Sequence, residues 1–372
     1  MRRYSNLSSL LVTLAFVCSR ASAQNWQIGP FTRPVDQPII RPNAAPVFTD
    51  PISGQPVHWE ALHTFNPAAT VTPDGSIAVL YRAEDASGAM MIGGHTSRLG
   101  LATSKDGIHF NQESAPVLFM DNDAQKANEY PGGVEDPRIV QAEDGLYVLT
   151  YTQYARDRAA YDIGLATSRD QHHWTKFGPI FQTDPRFKTV LYKSAAVVTK
   201  LSHGRLVAAK IHGKYWMYWG EIQVRLASSD DLIHWSPVID SKTNAPLILL
   251  AARPRKFDSG FPETGAPPVL TKHGIVLLYN GKNAKTADPK RDTSLGADSY
   301  AVGEALFSSH DPAVLLGRSD QPVFQPELPF EKTGQYAAGT TFAEGLVAFH
   351  GAWLLYYGTA DTFVGVATAP MK

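Results

Sequence analysis

The sequence predicts an all-β fold, a five-bladed β-propeller with a central carboxylate-lined pocket. The first observation behind this is a recurring segment. It reads GLATSKDGIHF from Gly100, GLATSRDQHHW from Gly164 and RLASSDDLIHW from Arg225, with a weaker EALFSSHDPAVLL from Glu304 and a truncated GVATAP from Gly365. The second is what precedes each copy: a run rich in aromatic and branched residues (IAVLYRAED, LYVLTYTQY, KYWMYWGE, IVLLYNGK, WLLYYGTAD), and before that a further apolar segment. Runs of this kind bounded by Gly and Asp turns read as strands. The third is that few stretches carry helical periodicity with caps. Repeats spaced by roughly 60 to 80 residues are too long for most solenoids, and five of them with about four strands each make a five-bladed propeller.

In chain order, the first element is a leader. Arg2 and Arg3 precede an apolar run from Leu10 to Val17, and Ala21-Ser22-Ala23 supplies a small-x-small cleavage site. The expected organisation is a signal peptide over 1–23, an N-terminal extension packing on the propeller over 24–60, and the propeller over 61–372. The only cysteine, Cys18, lies in the leader, so the mature chain has no disulfide or thiolate ligand. Export to the periplasm or the extracellular space follows as an expectation. A formal net charge of −1 on 372 residues gives no reason to expect nucleic acid or a membrane surface as partner. Oligomeric state is not legible.

Within each repeat, the S-x-D turn followed by Phe110, Trp174 or Trp235 suits an outer hairpin, with the aspartate capping the turn and the ring packed beneath it. His172, His173 and His234 fall in these turns and read as surface residues. The first strand of each blade lines the channel. Those strands carry Asn66, Glu135 with Asp136, Lys193, Glu263 and Glu344, and the next strands end at Arg82, Glu84, Asp85, Glu221 and Asp361. Alternation along a strand predicts that Glu135 and Asp136, in GGVEDPRIV, point to opposite sides. No His/Cys cluster has metal-ligand spacing and no glycine loop cradles phosphate, so neither metal nor cofactor is expected.

A pocket rich in carboxylates, with Trp59, Tyr130, Trp216, Trp219 and Tyr300 as candidate stacking rings, suits a sugar. Glycoside cleavage needs one protonated and one ionised carboxyl, and crowding carboxyls in a low-dielectric site separates their pKa values.

FNPAA from Phe65, LYRAED from Leu80, SRLGLATSKDG from Ser97, GGVEDPRI from Gly132 and YGTAD from Tyr357 together resemble glycoside hydrolase family 130, the β-mannoside phosphorylases and β-mannosidases. The resemblance spans nearly all of the mature chain. It implies a mannose-containing oligosaccharide or glycan as partner and Asp136 as proton donor, acting through a hydroxyl of the bound mannose. It also implies Asn66, Arg82, Asp85, Arg98, Lys193 and Asp361 as substrate-binding residues. For Arg82 and Arg98 the competing reading is ion pairing that holds strand ends together.

The family divides by nucleophile. Where its phosphorylases carry a phosphate-binding histidine and arginine, this chain reads KYWMYWGEI, and its fourth repeat reads FPETGAPPV. Glu221 and Glu263 would repel phosphate and instead hold and deprotonate a water. This departure resembles the exo-β-1,2-mannosidase branch. The expectation is therefore an inverting exo-acting β-mannosidase with Asp136, Glu221 and Glu263 as catalytic groups, either glutamate serving as principal base. A β-mannoside phosphorylase and a non-catalytic sugar-binding propeller are the alternatives.

Overall fold

The computed structural model describes residues 24–187 and 191–372. The leader expected over 1–23 lies outside them. The described residues are nearly all β: their one α-helix is the single turn Lys126–Glu129.

Five antiparallel units follow one another. The first comprises His63–Val71, Ile77–Glu84, Ser97–Ser104 and Asn111–Gln112, and the second Gly133–Gln141, Tyr147–Ala155, Ala160–Ser168 and Thr175–Pro179. The third is built on Ala195–Val197, Lys214–Trp219, Val224–Ser229 and Trp235–Pro237. In the fourth, Phe261–Thr264 and Val269–Thr271 both pair with Gly274–Lys282, which continues to Tyr300–Phe307 and Leu315–Arg318. The fifth has three strands, Phe342–Phe349, Ala352–Thr359 and Phe363–Pro370. The N-terminal segment runs along its free edge, with bridges from Thr32 to Thr368 and from Ile40 to Val364. Among the described residues these ladders form open sheets.

The repeated motif forms the hairpin turns. Asp106, Asp170 and Asp231 each accept the backbone N–H groups two and three residues on, at 2.8 to 2.9 Å. The adjacent serines, Ser104, Ser168 and Ser229, accept a further N–H. Satisfying turn amides by side chains is what makes Ser and Asp recur there. His172, His173 and His234 are exposed, as expected.

Apolar side chains from adjacent units interlock between the sheets. One cluster joins Val276, Leu278 and Val302 of the fourth unit to Leu346 and Leu355 of the fifth, with Trp26 and Phe31 of the N-terminal segment against them. Another joins Val79 and Tyr81 to Tyr356 and Val366, the first unit to the last. At the centre, His63–Val71 packs against both Gly133–Gln141 and Phe342–Phe349. The first strands of different units therefore meet, and their ends define the site.

Candidate active site

Two of these first strands break their own pleat where the polar residue sits. The pairing register of His63–Val71 shifts between Phe65 and Pro67, and that of Gly133–Gln141 between Glu135 and Arg138. Asn66 and Asp136 take φ of 48° at the two breaks. A left-handed residue followed by proline is a bulge, because proline cannot donate to the ladder. The bulge changes the expected geometry of GGVEDPRIV. Glu135 and Asp136 do not point to opposite sides: both line one cleft and both pair with Arg82, at 2.8 and 3.2 Å. Strict alternation fails because Asp136 and Pro137 have no ladder partners.

The cleft has a volume of about 330 Å³, near the lower end for small-molecule sites. Asn66, Arg82, Asp136, Lys193, Glu221, Glu263 and Asp361 all line it, so seven of the nine residues expected from sequence come together. Asp85 and Arg98 do not. Arg98 is buried and donates to Asp85 at 2.6 Å and Asp50 at 2.8 Å, tying the N-terminal segment to the first unit. That is the ion-pairing reading, and it removes both from the cleft wall.

Asp136 Oδ1 accepts from Asn66 Nδ2 at 2.7 Å and from Arg82 Nη1. Lys193 Nζ stands 3.7 Å from Asp136 Oδ2 and 3.7 Å from Glu263 Oε1. The facing oxygens are thus no farther apart than twice that distance. Glu263 Oε1 also accepts from Ser194 Oγ at 2.5 Å, and its Oε2 is buried without a hydrogen-bond partner among the described residues. Glu221 follows Gly220, whose φ of 114° turns the chain out of the strand Lys214–Trp219. Gly220 also joins units, donating to Ser194 O and accepting from Thr264 N.

Burial in this cleft separates the carboxyls. It pushes Glu263 up to about 7, opposed by Lys193 and reinforced by Glu221. It pushes Asp361 up to about 6. Glu135 rises to about 7 by burial, against the pull of Arg82, and with the charge on Asp136 adding to the rise. Asp136 feels the same burial, but Arg82, Lys193 and Arg138 outweigh it and hold its carboxyl below the usual range. The adjacent pair therefore titrates together, with Glu135 pushed up and Asp136 held down.

Of the rings expected to stack, only Tyr300 lines the cleft. Trp59 is buried against Tyr81 and donates to Ser114 O, Trp219 packs among Phe181, Phe187 and Tyr192, and Tyr130 is exposed away from the cleft. Tyr154, Tyr161, Tyr336, Phe65 and Phe342 supply the walls that sequence reading missed. Tyr154 and Tyr161 are opposite partners near the end of one hairpin, a position that hairpin pairing could have flagged.

His63, Glu84 and His95 bring one possible ligand atom each within 4.8 Å of one another. Both Glu84 oxygens are engaged, by Arg82 at 2.6 Å and by Gln335 at 3.0 Å. The group fits a charge network beside the cleft better than a cation site.

Carboxyls that can give and take protons, set among ring faces, suit a polyhydroxylated substrate and put the molecule among carbohydrate-active enzymes. The family model described as β-1,4-mannooligosaccharide phosphorylase matches residues 39–372. The chain belongs to this family, glycoside hydrolase family 130, whose members are enzymes acting on mannosides. It is 31% identical to a 1,2-β-oligomannan phosphorylase of a Thermoanaerobacter species, over 91% of this chain and 96% of that one. Among solved structures, a candidate glycosidase of Bacteroides thetaiotaomicron is 49% identical with a TM-score of 0.90, covering 94% of this chain and 99% of its own. Another is 46% identical with a TM-score of 0.89, covering 93% and 95%. It comes from work on glycoside hydrolases within the family that target β-1,2 mannosidic linkages in Candida mannan.

Proposed function

We propose that this protein is an inverting, exo-acting β-mannosidase that hydrolyses β-1,2-linked mannosides with water as nucleophile. The observation that carries the reading is the charge of the cleft. Among the described residues, five carboxylates line it (Glu135, Asp136, Glu221, Glu263 and Asp361) against two cations, Arg82 and Lys193, both already paired with carboxylates. A phosphate dianion entering beside Glu221 and Glu263 meets like charge in a low-dielectric site, where repulsion is strong. Water meets a base.

In this reading Asp136 delivers the proton to the leaving oxygen through a hydroxyl of the bound mannose. Asp136 takes that proton up from solvent before cleavage and loses it to the leaving oxygen. Glu263 removes a proton from the attacking water through Oε2, and Glu221 orients that water. Attack on the face opposite the leaving group inverts the anomeric carbon. Asn66, Arg82, Lys193 and Asp361 hold the sugar's hydroxyls. Asp85 and Arg98 act behind the wall.

The five units are read as the blades of a propeller over 61–372. A ring of blades closes by side-chain packing between open sheets, and packing of the last unit on the first supports that reading. The segment 24–60 is read as an extension packed on it. The leader over 1–23 supports export to the periplasm or the extracellular space, where phosphate-dependent recovery of a sugar phosphate has less use.

The phosphorylase relative keeps the second reading specific: phosphorolysis releasing mannose 1-phosphate. Incubation with β-1,2-mannobiose, with and without inorganic phosphate, separates the two. Hydrolysis gives mannose in both, first as the α anomer by proton NMR. Phosphate-dependent mannose 1-phosphate overturns the hydrolase reading.

A further inference from the structure

Arg138 is buried and lies outside the cleft lining, where its charge helps hold the Asp136 carboxyl low. Its guanidinium nevertheless reaches three units at once. Nη1 donates to Asp136 O at 2.9 Å, the carbonyl of the left-handed residue at the bulge. Nη2 donates to Thr264 O at 2.9 Å and Nε to Gly265 O at 3.4 Å, the two residues that follow Glu263. Nη1 also pairs with Glu344 at 2.8 Å, on the first strand of the fifth unit. Gly265 is held close here, since an added Cβ would lie 2.5 Å from Leu278 O and 3.1 Å from Ala343 O.

We infer that Arg138 is a positioning residue that sets the span between the acid Asp136 and the base Glu263, by clamping the backbone of both to one planar group. The inference rests on the acid and base roles proposed above. Planarity carries the argument. A guanidinium presents five donors in fixed directions, so carbonyls bonded to it cannot move independently. An inverting site needs that constraint, because the gap between the carboxyls must admit one water and no more. Asp136 and Glu263 stand on different units with no ladder between their strands, and their shared lysine is 3.7 Å from each, beyond hydrogen-bond length. The guanidinium is the direct hydrogen-bonded link between the two backbones. Glu344, with both oxygens buried and no other partner, keeps it from swinging toward the reacting carboxylates.

The test compares Arg138→Lys, Arg138→Met and Glu344→Ala with the parent on β-1,2-mannobiose, with Asp136→Asn and Glu263→Gln run alongside. Lysine keeps the charge but cannot bridge three carbonyls. Both Arg138 variants are expected to lose on the order of a hundredfold in kcat, as for a misplacement of about 1 Å, with KM within about threefold of the parent. The pH profile separates position from charge. Glu263 is faced by Lys193, Glu221, Arg138, Glu344, Tyr161 and Tyr300. Removing the Arg138 charge moves the acid limb of kcat to higher pH in Arg138→Met, whereas Arg138→Lys keeps the limb in place yet stays slow. A merely structural role would scale kcat with the folded fraction, so that folded Arg138→Lys would match the parent. Folded Arg138 variants with kcat within about fivefold of the parent overturn the inference. Should neither fold, Glu344→Ala decides: a tenfold or larger loss in kcat at unchanged KM supports the clamp, and kcat within about threefold overturns it. If Asp136→Asn and Glu263→Gln remain active, the acid–base reading itself is wrong. If they lose activity while the Arg138 variants keep it, only the clamp falls.

Discussion

On one wall of the cleft both oxygens of Asp136 face partners: Asn66 and Arg82 on Oδ1, Lys193 at 3.7 Å from Oδ2. On the opposite wall Glu263 offers one oxygen to Ser194 and Lys193 and leaves the other, buried, with none among the described residues. The two walls are equally buried, so burial alone does not explain why one carboxyl is held low and the other rises to about 7. The difference lies in the neighbours. An arginine bonded directly to Asp136 stabilises its charge, while a lysine farther from Glu263 competes with the negative Glu221. A carboxylate with an uncommitted oxygen and a pKa near 7 is matched to taking a proton at neutral pH. A carboxyl locked into its surroundings is suited to a fixed position and a relayed proton.

The largest effects expected are those that silence one wall at a time. Asp136→Asn and Glu263→Gln should each lower kcat on mannobiose by roughly 10²–10⁴-fold. Their rescue should differ. Azide, a small anionic nucleophile that needs no base, should restore part of the Glu263→Gln rate on an aryl β-mannoside and yield α-mannosyl azide. Asp136→Asn should gain nothing from azide, yet lose less on an aryl mannoside with a good leaving group than on mannobiose, because such a group needs little protonation. Product analysis by NMR checks both. Azide rescue of Asp136→Asn but not of Glu263→Gln would exchange the two walls.

A smaller effect sharpens the contrast in charge. The base works ionised, so kcat/KM should rise with pH through about 7, the value to which burial first, and then Glu221, brings Glu263. Glu221→Gln removes a neighbouring negative charge, which makes ionisation of Glu263 easier. The acid limb of the profile should therefore move to lower pH, even as the maximum rate falls from loss of water orientation. A limb that stays put or moves up would show that Glu221 does not face Glu263 as the geometry has it.

Much of this was legible in the chain, and what was not has a local cause. The Ser-x-Asp turns could be read because a turn is satisfied within a few residues, so the same letters recur wherever it does. Seven of the nine expected residues gather at one cleft, because polar side chains at the ends of apolar strands have few other uses. The placement of Glu135 beside Asp136 could not be read, because alternation presumes an unbroken ladder. The signal was present all the same: Asn66-Pro67 and Asp136-Pro137 put proline inside strand-like runs, which marks a bulge. Asp85 and Arg98 lie outside the cleft lining for a different reason. Arg98, which pairs with Asp85, also pairs with Asp50 in the N-terminal segment, and nothing local announces a contact across that distance in sequence. Arg138 is hidden in the same way, since three of its acceptors are backbone carbonyls.

The smallest expected effect tests whether turn and cleft are as separate as their sequences suggest. Asp231 accepts the N–H groups of Ile233 and His234 and pairs with the His234 ring at 2.7 Å, all at an outer turn that contributes nothing to the cleft lining. Asp231→Ala leaves two turn amides to water, which can still reach them, so the loss is that of ordinary hydrogen bonds rather than of buried unsatisfied groups. A fall in unfolding free energy of about 1 kcal/mol is expected, with kcat and KM on mannobiose unchanged at a temperature where the protein stays folded. The packing beneath makes this more than a control. Trp235 follows the turn and lies in the same apolar cluster as Trp219, which ends the strand leading to Gly220 and Glu221. A change in kcat without a change in folded fraction would mean that the cluster transmits the turn's position to the base wall. Repetition in the sequence would then mark part of the catalytic frame as well as the scaffold.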